Sequence, residues 1–326
     1  MAVKISVRQA INDAIKEEMN RDSNVTIFGC DVGLRGGAFA VTKGLLKEFG
    51  EWRVRDTPIS EAGFTGIGIG AAATGLRPIV EILYCDWITL AMDQIVNTAA
   101  KKRYMFGGKI NMPLTIRAPF GGGDGQAAQH SQSFEAWFNH VPGLKVIAPI
   151  FPEDVKGLLK SAIRDDNPVI FFEHKLSYTL EGEVPSEDYT IPIGKAKVIR
   201  EGSDVTIVSY SMMVVKALEA AETLAKEGIE CEVIDLRSLL PLDYETIIDS
   251  LEKTNRIVVV HEANLRGGMA SDIVAEICDR AFDFLDAPPE RVGGLNVPIP
   301  YCSCLEQLVI PSTEKIKKAV YKALNR

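Results

Sequence analysis

The feature that most constrains the fold is an alternation of short β-branched runs with stretches of helical period. Residues 25–28 form a short apolar run of the strand type, and residues 7–19 before it repeat apolar side chains at helical spacing. The alternation continues through the first half of the chain and restarts at residue 205. Because strands that alternate with helices form parallel sheets, the pattern predicts an α/β protein.

The same pattern gives the predicted elements and domains. Strands are predicted at residues 25–28, 79–83, 114–117, 145–148, 169–172, 205–209, 232–235 and 256–261. Helices are predicted at residues 7–19, 61–74, 88–104, 153–164, 214–227 and 244–253, and from 267–268 to about 284. The periodicity weakens at residues 181–202, which contain Gly182, Pro185 and Pro192. We therefore expect two three-layer α/β/α domains, residues 1–180 and 203–326, joined by a linker at 181–202.

The charge of the chain argues against nucleic acid as a partner. The 326 residues carry a formal net charge of −8. A nucleic-acid surface needs clustered Lys and Arg to displace counterions from phosphates. No stretch has the roughly 20 apolar residues of a membrane span, so a soluble protein is expected.

The cysteines and histidines do not follow a metal-binding pattern. The six cysteines are scattered apart from the pair Cys302 and Cys304, and no Cys-x-x-Cys spacing occurs. The four histidines are dispersed. Sparse cysteines in a long chain are typical of a reducing compartment, and a cytoplasmic protein is therefore expected.

The glycine-rich segment at residues 57–70 (TPISEAGFTGIGIG) predicts the start of a helix. Ser60 is a suitable cap, and Glu61 falls in the first turn, where an acidic side chain can simply complement the helix dipole. Gly63, Gly66 and Gly70 share one face, so a close approach of another backbone is expected there. The Gly66-x-Gly68 pattern does not directly follow a strand, which argues against a dinucleotide site.

Several polar or aromatic groups follow predicted strands, where open α/β sheets bind ligands. Trp87 can pack in the core or form a platform for a flat ring. His130, read as lying at a helix start, is either structural or a proton shuttle. His261 has no second chemical group beside it and is read as structural. Residues 161–168 (SAIRDDNP) are either a helix end and a turn or a cation site of backbone carbonyls and an Asp side chain.

Taken together, five segments resemble a known family over essentially the whole chain. They are residues 59–64 (ISEAGF), 127–132 (AAQHSQ), 142–146 (PGLKV), 162–168 (AIRDDNP) and 235–243 (DLRSLLPLD). Their order and spacing resemble the beta subunits of the thiamine-diphosphate-dependent first components of 2-oxoacid and acetoin dehydrogenase complexes. Residues 104–109 (YMFGGK) and 172–176 (FEHKL) look closest to the acetoin type.

The resemblance implies a transketolase-like pyrimidine-binding domain, a transketolase C-terminal domain and an alpha2-beta2 heterotetramer. It implies that Glu61 bonds the pyrimidine ring nitrogen N1′ of thiamine diphosphate and that Leu83 and Trp87 lie at cofactor-binding positions. Many relatives have Phe or Tyr in place of Trp87. His130 matches an active-site histidine near the substrate and the lipoyl arm of a dihydrolipoyl acyltransferase core. A helix N-terminus favours the ionised form of Glu61, whereas a dry pocket favours the protonated form, and we expect burial to dominate.

The cations implied by the resemblance are Mg²⁺ and, in some members, K⁺. Gly123-Asp124-Gly125 matches a diphosphate-binding motif, but the Asn expected about 25 to 30 residues later is missing. A loop is the simpler interpretation of this segment, and the resemblance assigns the Mg²⁺ to the alpha subunit. The residues that match a potassium site are Leu114, Ala162, Ile163, Asp165 and Asn167.

The resemblance implies an oxidoreductase that cleaves acetoin or decarboxylates pyruvate and reductively acylates lipoamide. A branched-chain 2-oxoacid dehydrogenase subunit is an alternative with the same motifs. A half of a split transketolase acting on sugar phosphates, and a non-catalytic scaffold subunit that docks the acyltransferase core, are further alternatives. The scaffold hypothesis predicts loss of Glu61 or His130, and both are present.

Overall fold

The computed structural model describes residues 2–326, which form two compact units. The first unit consists of residues 2–120 and 137–193, and the second of residues 121–136 and 194–326. Each unit is built around its own sheet, as described below. The predicted α/β class is confirmed in both.

Six parallel strands of the first unit hydrogen-bond in the order β6-β7-β5-β4-β2-β3. The strands of this unit are β1 (Ala2–Ser6), β2 (Val25–Gly29), β3 (Val54–Asp56), β4 (Arg77–Glu81), β5 (Thr115–Phe120), β6 (Lys145–Ile147), β7 (Val169–His174) and β8 (Glu181–Pro185). The helices up to residue 164 are α1 (Val7–Arg21), α2 (Leu45–Phe49), α3 (Glu61–Ala73), α4 (Ala100–Met105), α5 (Glu135–Asn139) and α6 (Pro152–Arg164).

The core of the first unit follows from the apolar faces of these elements. β2, β5 and β7 are buried at every position. Helix α1 is capped by Ser6, whose side chain accepts a hydrogen bond from Gln9 N at 3.2 Å. The helix buries one apolar face against α6. The parallel strands therefore end together at one carboxyl edge of the sheet.

The second unit has a five-stranded sheet in the order β14-β13-β10-β11-β9. Only β9 runs antiparallel to its neighbour within this sheet of the described chain. The strands of this unit are β9 (Lys197–Arg200), β10 (Val205–Ser209), β11 (Cys231–Asp235), β12 (Ser238–Leu240), β13 (Ile257–Asn264) and β14 (Glu290–Gly294). Its helices after residue 194 are α7 (Met212–Ala225), α8 (Tyr244–Thr254), α9 (Met269–Ala281), α10 (Ser303–Val309) and α11 (Thr313–Ala323).

Two of the predicted elements differ from the structure. The single helix predicted at residues 88–104 is a 3₁₀ segment (Cys85–Ala91), a π-helical segment (Gln94–Ala99) and α4. The segment predicted as a linker, 181–202, contains β8, which pairs antiparallel with β1, and β9. Both strands are largely exposed or half-buried, so neither shows the apolar run by which a buried strand is recognised.

The glycines of α3 pack differently from the expectation. Gly63, Gly66 and Gly70 are exposed, and nothing lies within 4 Å of a methyl group placed on Gly70. The close approach is made instead by Gly68, where a methyl group would lie 2.6 Å from Val80 Cγ2. Helix α3 therefore lies tightly against β4 and leaves the face of the other three glycines open.

Within residues 2–326, no helix is both long enough and apolar enough to span a membrane.

Candidate active site

Glu61 is the first residue of α3, and its side chain is buried in the first unit. It is only 7% exposed. Ser60 occupies the cap position, but its side chain makes no capping hydrogen bond, so the predicted cap is wrong. Among residues 2–326, the Glu61 carboxyl has neither a hydrogen-bond donor nor a cation as its partner. Buried polar groups in folded proteins are normally paired, so this carboxyl fits a site that is completed by a group from outside the chain.

The loop beside Glu61 is held in place by the end of β3. Asp56 accepts hydrogen bonds from Gly33 N at 2.6 Å and from Leu34 N at 3.1 Å. The thiol of Cys30, which follows β2, donates to Pro58 O at 3.6 Å. Burial, and to a smaller extent the charge of Glu61, raises the pKa of the Cys30 thiol. Glu61 therefore belongs to a fixed arrangement at the carboxyl edge of the sheet.

Leu83 and Trp87 lie directly after β4, at the same edge. Both side chains are half-buried, and Trp87 N donates to Tyr84 O at 2.9 Å inside the 3₁₀ segment. The ring of Tyr84 meets the ring of Phe39 edge-on, with 5.7 Å between centroids. The side chains of Leu83 and Trp87 therefore lie at the same carboxyl edge of the sheet as Glu61.

A buried ion cluster lies at the carboxyl ends of β4, β5 and β7, and the sequence did not reveal it. Arg117 Nη1 donates to Glu81 Oε2 at 2.5 Å, while Nε and Nη2 donate to the two oxygens of Glu173 at 2.6 and 2.8 Å. Tyr178 donates to Glu173 Oε2 at 2.8 Å. Burial would lower the pKa of Arg117, but the two carboxylates outweigh it and raise that pKa. Burial raises the pKa of Glu81, whose Oε1 has no partner in the described chain.

His130 lies in the second unit, within a turn rather than at a helix start. Ala127 has a positive φ of 61°, and His130 N donates to Ala127 O at 3.5 Å. No helix begins there in the described chain, and the next helix is α5. The side chain of His130 is half-buried. The predicted position at a helix start is therefore wrong.

The loop at residues 121–125, which precedes His130, is held by two acidic side chains. Gly122 N donates to Glu262 at 2.6 Å, and Glu306 accepts hydrogen bonds from Gly123 N at 2.7 Å and Gly125 N at 3.1 Å. All of these residues belong to the second unit. The peptide N–H groups of both glycines in the Gly-Asp-Gly motif are thus already bonded to the Glu306 carboxylate.

A cavity in the second unit has the segment that follows His130 as one wall. Its polar lining includes Ser131, Gln132, Glu262, Asn264 and Arg266. The hydroxyl of Ser131 is buried and has no hydrogen-bond partner within residues 2–326. This cavity could not be predicted from the sequence, because its walls come from segments that lie far apart in the chain.

His261 is fully buried on β13. Burial, and secondarily the charge of Arg291, lowers the pKa of His261 to about 4. Methyl groups placed on Gly268 and Gly293 would lie 2.0 Å from Cε1 and 2.7 Å from Nε2 of its ring. The ring is therefore neutral and tightly enclosed.

The five residues that match a potassium site lie around the turn between α6 and β7. Ile163 O and Asp165 O accept hydrogen bonds from Arg77 Nε and Nη2, both at 2.8 Å. The Asp165 carboxylate is engaged by Lys145 and by Asn167 N and Nδ2. Ala162 O accepts from Asp165 N, and Leu114 O from Val169 N. Residues 2–326 contain no cluster of three or more His, Cys, Asp or Glu side chains that could hold a metal ion.

Comparison with known proteins identifies both halves of the chain. The family model described as "Transketolase, pyrimidine binding domain" matches residues 3–181, and "Transketolase, C-terminal domain" matches residues 194–316. A solved structure titled "Split gene transketolase, inactive beta4 tetramer" superposes with a TM-score of 0.81 at 25% identity, covering 98% of both chains. The fold and site thus define a transketolase-like protein.

Curated relatives are similar over the whole length. Pyruvate dehydrogenase E1 component subunit beta-1, mitochondrial, of Arabidopsis thaliana is 50% identical over 100% of this chain and 91% of the relative. The acetoin:2,6-dichlorophenolindophenol oxidoreductase subunit beta of Bacillus subtilis is 48% identical, and the match covers 99% of this chain and 98% of the relative. The pyruvate dehydrogenase E1 component subunit beta of Rickettsia felis is 50% identical, covering 98% of both.

The chain belongs to the transketolase-like family of dehydrogenase beta subunits that these relatives represent. The resemblance seen in the motifs is therefore confirmed. So are the predicted two-domain transketolase-like fold and the oxidoreductase class.

Proposed function

We propose that this chain is the beta subunit of a thiamine-diphosphate-dependent dehydrogenase that cleaves acetoin or decarboxylates pyruvate and reductively acylates lipoamide. The single observation that supports this proposal best is the Glu61 carboxyl, which is 7% exposed and has no partner among the described residues. It lies in the segment that matches the pyrimidine-binding domain model. A protonated ring nitrogen is the kind of partner that such a carboxyl requires.

The residues at the edge of the first sheet fit the pyrimidine end of the cofactor. Thiamine diphosphate supplies, when bound, the electron sink for cleavage next to a carbonyl. Glu61 would share a proton with the ring nitrogen N1′ at its carboxyl oxygens. Leu83 and Trp87, fixed after β4, would position the ring. Withdrawing Glu61 from water strengthens this interaction, since fewer solvent dipoles compete with it.

The diphosphate and its Mg²⁺ are assigned by this proposal to an alpha subunit. In the present chain, Glu262 and Glu306 occupy the peptide donors of the Gly-Asp-Gly loop. Two carboxylates at this position repel a diphosphate instead of binding it. The active site would then be completed only when both subunits are assembled.

The open face beside Glu61 supports such a partner. Ile59 is 86% exposed and Ile67 is 60% exposed, and both border the flat glycine face of α3. Exposed apolar patches of this kind mark protein interfaces. We propose that an alpha subunit covers this face in an alpha2-beta2 heterotetramer, which delivers acyl groups to a dihydrolipoyl acyltransferase core.

His130 is proposed to assist proton transfer to lipoamide or to orient the lipoyl group. The residue is half-buried in a turn and is therefore not closed off from solvent. A histidine changes protonation near neutral pH and is therefore a suitable proton carrier.

Potassium is proposed at carbonyl oxygens around the turn between α6 and β7, where the matching residues are Leu114, which precedes β5, and Ala162, Ile163, Asp165 and Asn167. Carbonyl oxygens have two lone pairs, so one that already accepts a hydrogen bond retains capacity for a cation. The Asp165 carboxylate is already engaged and would not be a ligand. Potassium should raise the Tm of the chain more than sodium does, and equal effects of the two ions would contradict the proposal.

The domain limits and the location of the protein are also proposed. We propose a pyrimidine-binding domain at residues 1–180, a connecting segment at 181–202 and a C-terminal domain at 203–326. A cytoplasmic location is proposed on the basis of six free cysteines, although the Arabidopsis relative is named mitochondrial. Fractionation of the source cells tests the location directly.

The substrate is to be determined with the assembled protein. The chain should be co-expressed with its alpha partner and assayed with an artificial electron acceptor on pyruvate, acetoin and branched-chain 2-oxoacids. The proposal predicts the highest kcat/KM on acetoin or pyruvate. Preference for branched-chain acids would support the branched-chain alternative, whereas activity on sugar phosphates would support a transketolase half. Assembly without any of these activities would support a scaffold subunit.

A further inference from the structure

Cys302 and Cys304 form an exposed dithiol at the start of α10. Their side chains flank Ser303, and the two Sγ atoms are 3.1 Å apart. Both residues are exposed, whereas Cys30 and Cys278 are half-buried and Cys85 and Cys231 are buried. Among the six cysteines, this pair alone combines accessibility with a second thiol in contact, in the chain as described.

The two thiols are chemically unequal. The contact with the Cys304 side chain lowers the pKa of Cys302. The same contact raises the pKa of Cys304. The thiolate is the nucleophile, and Cys302 lies at the cap position of α10, so Cys302 is the sulfur expected to attack and Cys304 the one expected to resolve.

We propose that Cys302 and Cys304 are a thiol–disulfide exchange site for small-molecule disulfides such as glutathione disulfide. The Cys302 thiolate attacks one sulfur of the disulfide, forms a mixed disulfide and releases the first small thiol. The Cys304 thiolate then attacks the Cys302 sulfur and releases the second. The chain is oxidised by two electrons to a Cys302–Cys304 disulfide, and the small-molecule disulfide is reduced to two thiols, which take up the two protons. The site uses none of the residues assigned to the proposed function.

The disulfide would act on the loop that precedes His130. Glu306 lies two residues beyond Cys304 on α10, is 1% exposed and holds Gly123 N and Gly125 N. The first turn of α10 depends on Cys302 O, which accepts hydrogen bonds from Leu305 N and Glu306 N, both at 2.9 Å. A bond between the two sulfurs links the residues on either side of Ser303 within this same turn. Oxidation is therefore expected to weaken the hydrogen bonds from Gly123 N and Gly125 N to Glu306.

The bond should also be readily reversible. It is exposed and closes a small ring, and disulfides that are exposed or strained are easily reduced by cellular thiols. Disulfides of this kind in reducing compartments are transient and sensory, not structural.

Mass spectrometry of the full-length chain tests the exchange reaction. The chain is incubated with glutathione disulfide, quenched with acid and digested. The wild-type peptide that contains both cysteines should lose two hydrogens and retain no glutathione. The Cys304→Ser chain should retain one glutathione on Cys302, and Cys302→Ser should react about tenfold more slowly than wild type. Cys278→Ser is the matched control and should behave as wild type.

Two outcomes would overturn the proposal. One is a wild-type chain that carries glutathione on both cysteines without an internal disulfide. The other is a Cys302→Ser chain that reacts as fast as wild type.

Amide hydrogen exchange tests the effect on the loop. Oxidised wild type should exchange faster than reduced wild type at residues 121–125, and Cys304→Ser treated in the same way should show no such increase. Unchanged exchange in fully oxidised wild type would overturn the coupling between the dithiol and the loop.

Discussion

Arg117 and Glu173 form a bidentate ion pair with both side chains fully buried. Nε and Nη2 of the guanidinium reach the two carboxylate oxygens at 2.6 and 2.8 Å. The pair links β5 to β7, and Glu81 adds β4 through a single bond at 2.5 Å. Because Leu83 and Trp87 follow β4 directly, the cluster fixes the strand from which the proposed cofactor contacts extend.

The two carboxyl groups of this cluster should differ in their contribution to stability. Glu173 accepts three hydrogen bonds, whereas Glu81 accepts one and has an unpartnered oxygen in the described chain. Glu173→Gln should lower the free energy of unfolding by about 3–5 kcal/mol, since it breaks a buried pair. Glu81→Gln should cost about 1–2 kcal/mol. Urea denaturation measures both, and equal losses would contradict this assignment.

Glu61→Gln should abolish most turnover without preventing assembly. The amide keeps the size of the side chain but cannot take up the shared proton, so kcat should fall by about 10²–10⁴-fold. Turnover of the complex with the alpha subunit is the measurement. Glu314→Gln is the matched control, because Glu314 also lies in a first helical turn but is exposed. A parental rate for Glu61→Gln, or an equal loss in both variants, would remove the catalytic role.

His130→Ala should impair lipoamide reduction more than cofactor binding. The imidazole is proposed to act on the lipoyl group, whereas the thiamine contacts come from other residues. Turnover with free lipoamide, compared with the affinity for thiamine diphosphate, separates the two effects. His140→Ala is the control, since His140 is exposed. Equal lipoamide turnover for His130→Ala and the parent chain would refute this role.

His261 should make the second unit less stable at acidic pH. The pKa of His261 is about 4 in the folded chain, below its ordinary value of 6.5, so the unfolded chain binds a proton that the folded chain excludes. Its contribution is complete above pH 6.5 and is lost as the pH falls towards 4, by up to about 3 kcal/mol. Between pH 6.5 and 4, the free energy of unfolding of His261→Asn, measured by urea titration at each pH, should fall less than that of wild type. The same loss in both would show that other groups cause it.

Much of the fold could be predicted from local pattern. The buried parallel strands are apolar at almost every position, and the helix that the pattern predicts at residues 61–74 is α3, Glu61–Ala73. Strands such as β1 and β8 were not found, because they are short and mostly exposed, so their pairing leaves no apolar run in the sequence. The broken helix at residues 85–105 keeps a helical apolar period, which does not reveal a change of helix type.

The site could be predicted only in part. Glu61 was found from its segment, but its burial depends on the packing of α3, which the sequence does not show. The Arg117 cluster was not predicted, because its charged residues lie within apolar strands and come together only when β4, β5 and β7 pair. The Glu306 contacts were missed for the same reason, since they join residues about 180 apart.

The proposed function requires the Glu61 carboxyl to meet a pyrimidine nitrogen of thiamine diphosphate that is held jointly with a second subunit. The most direct measurement is a structure of the assembled alpha–beta complex with thiamine diphosphate bound. A Glu61 carboxyl oxygen should lie at hydrogen-bond distance, about 2.6–3.2 Å, from N1′. A pyrimidine ring bound away from Glu61, with the carboxyl still unpartnered, would contradict the proposed function.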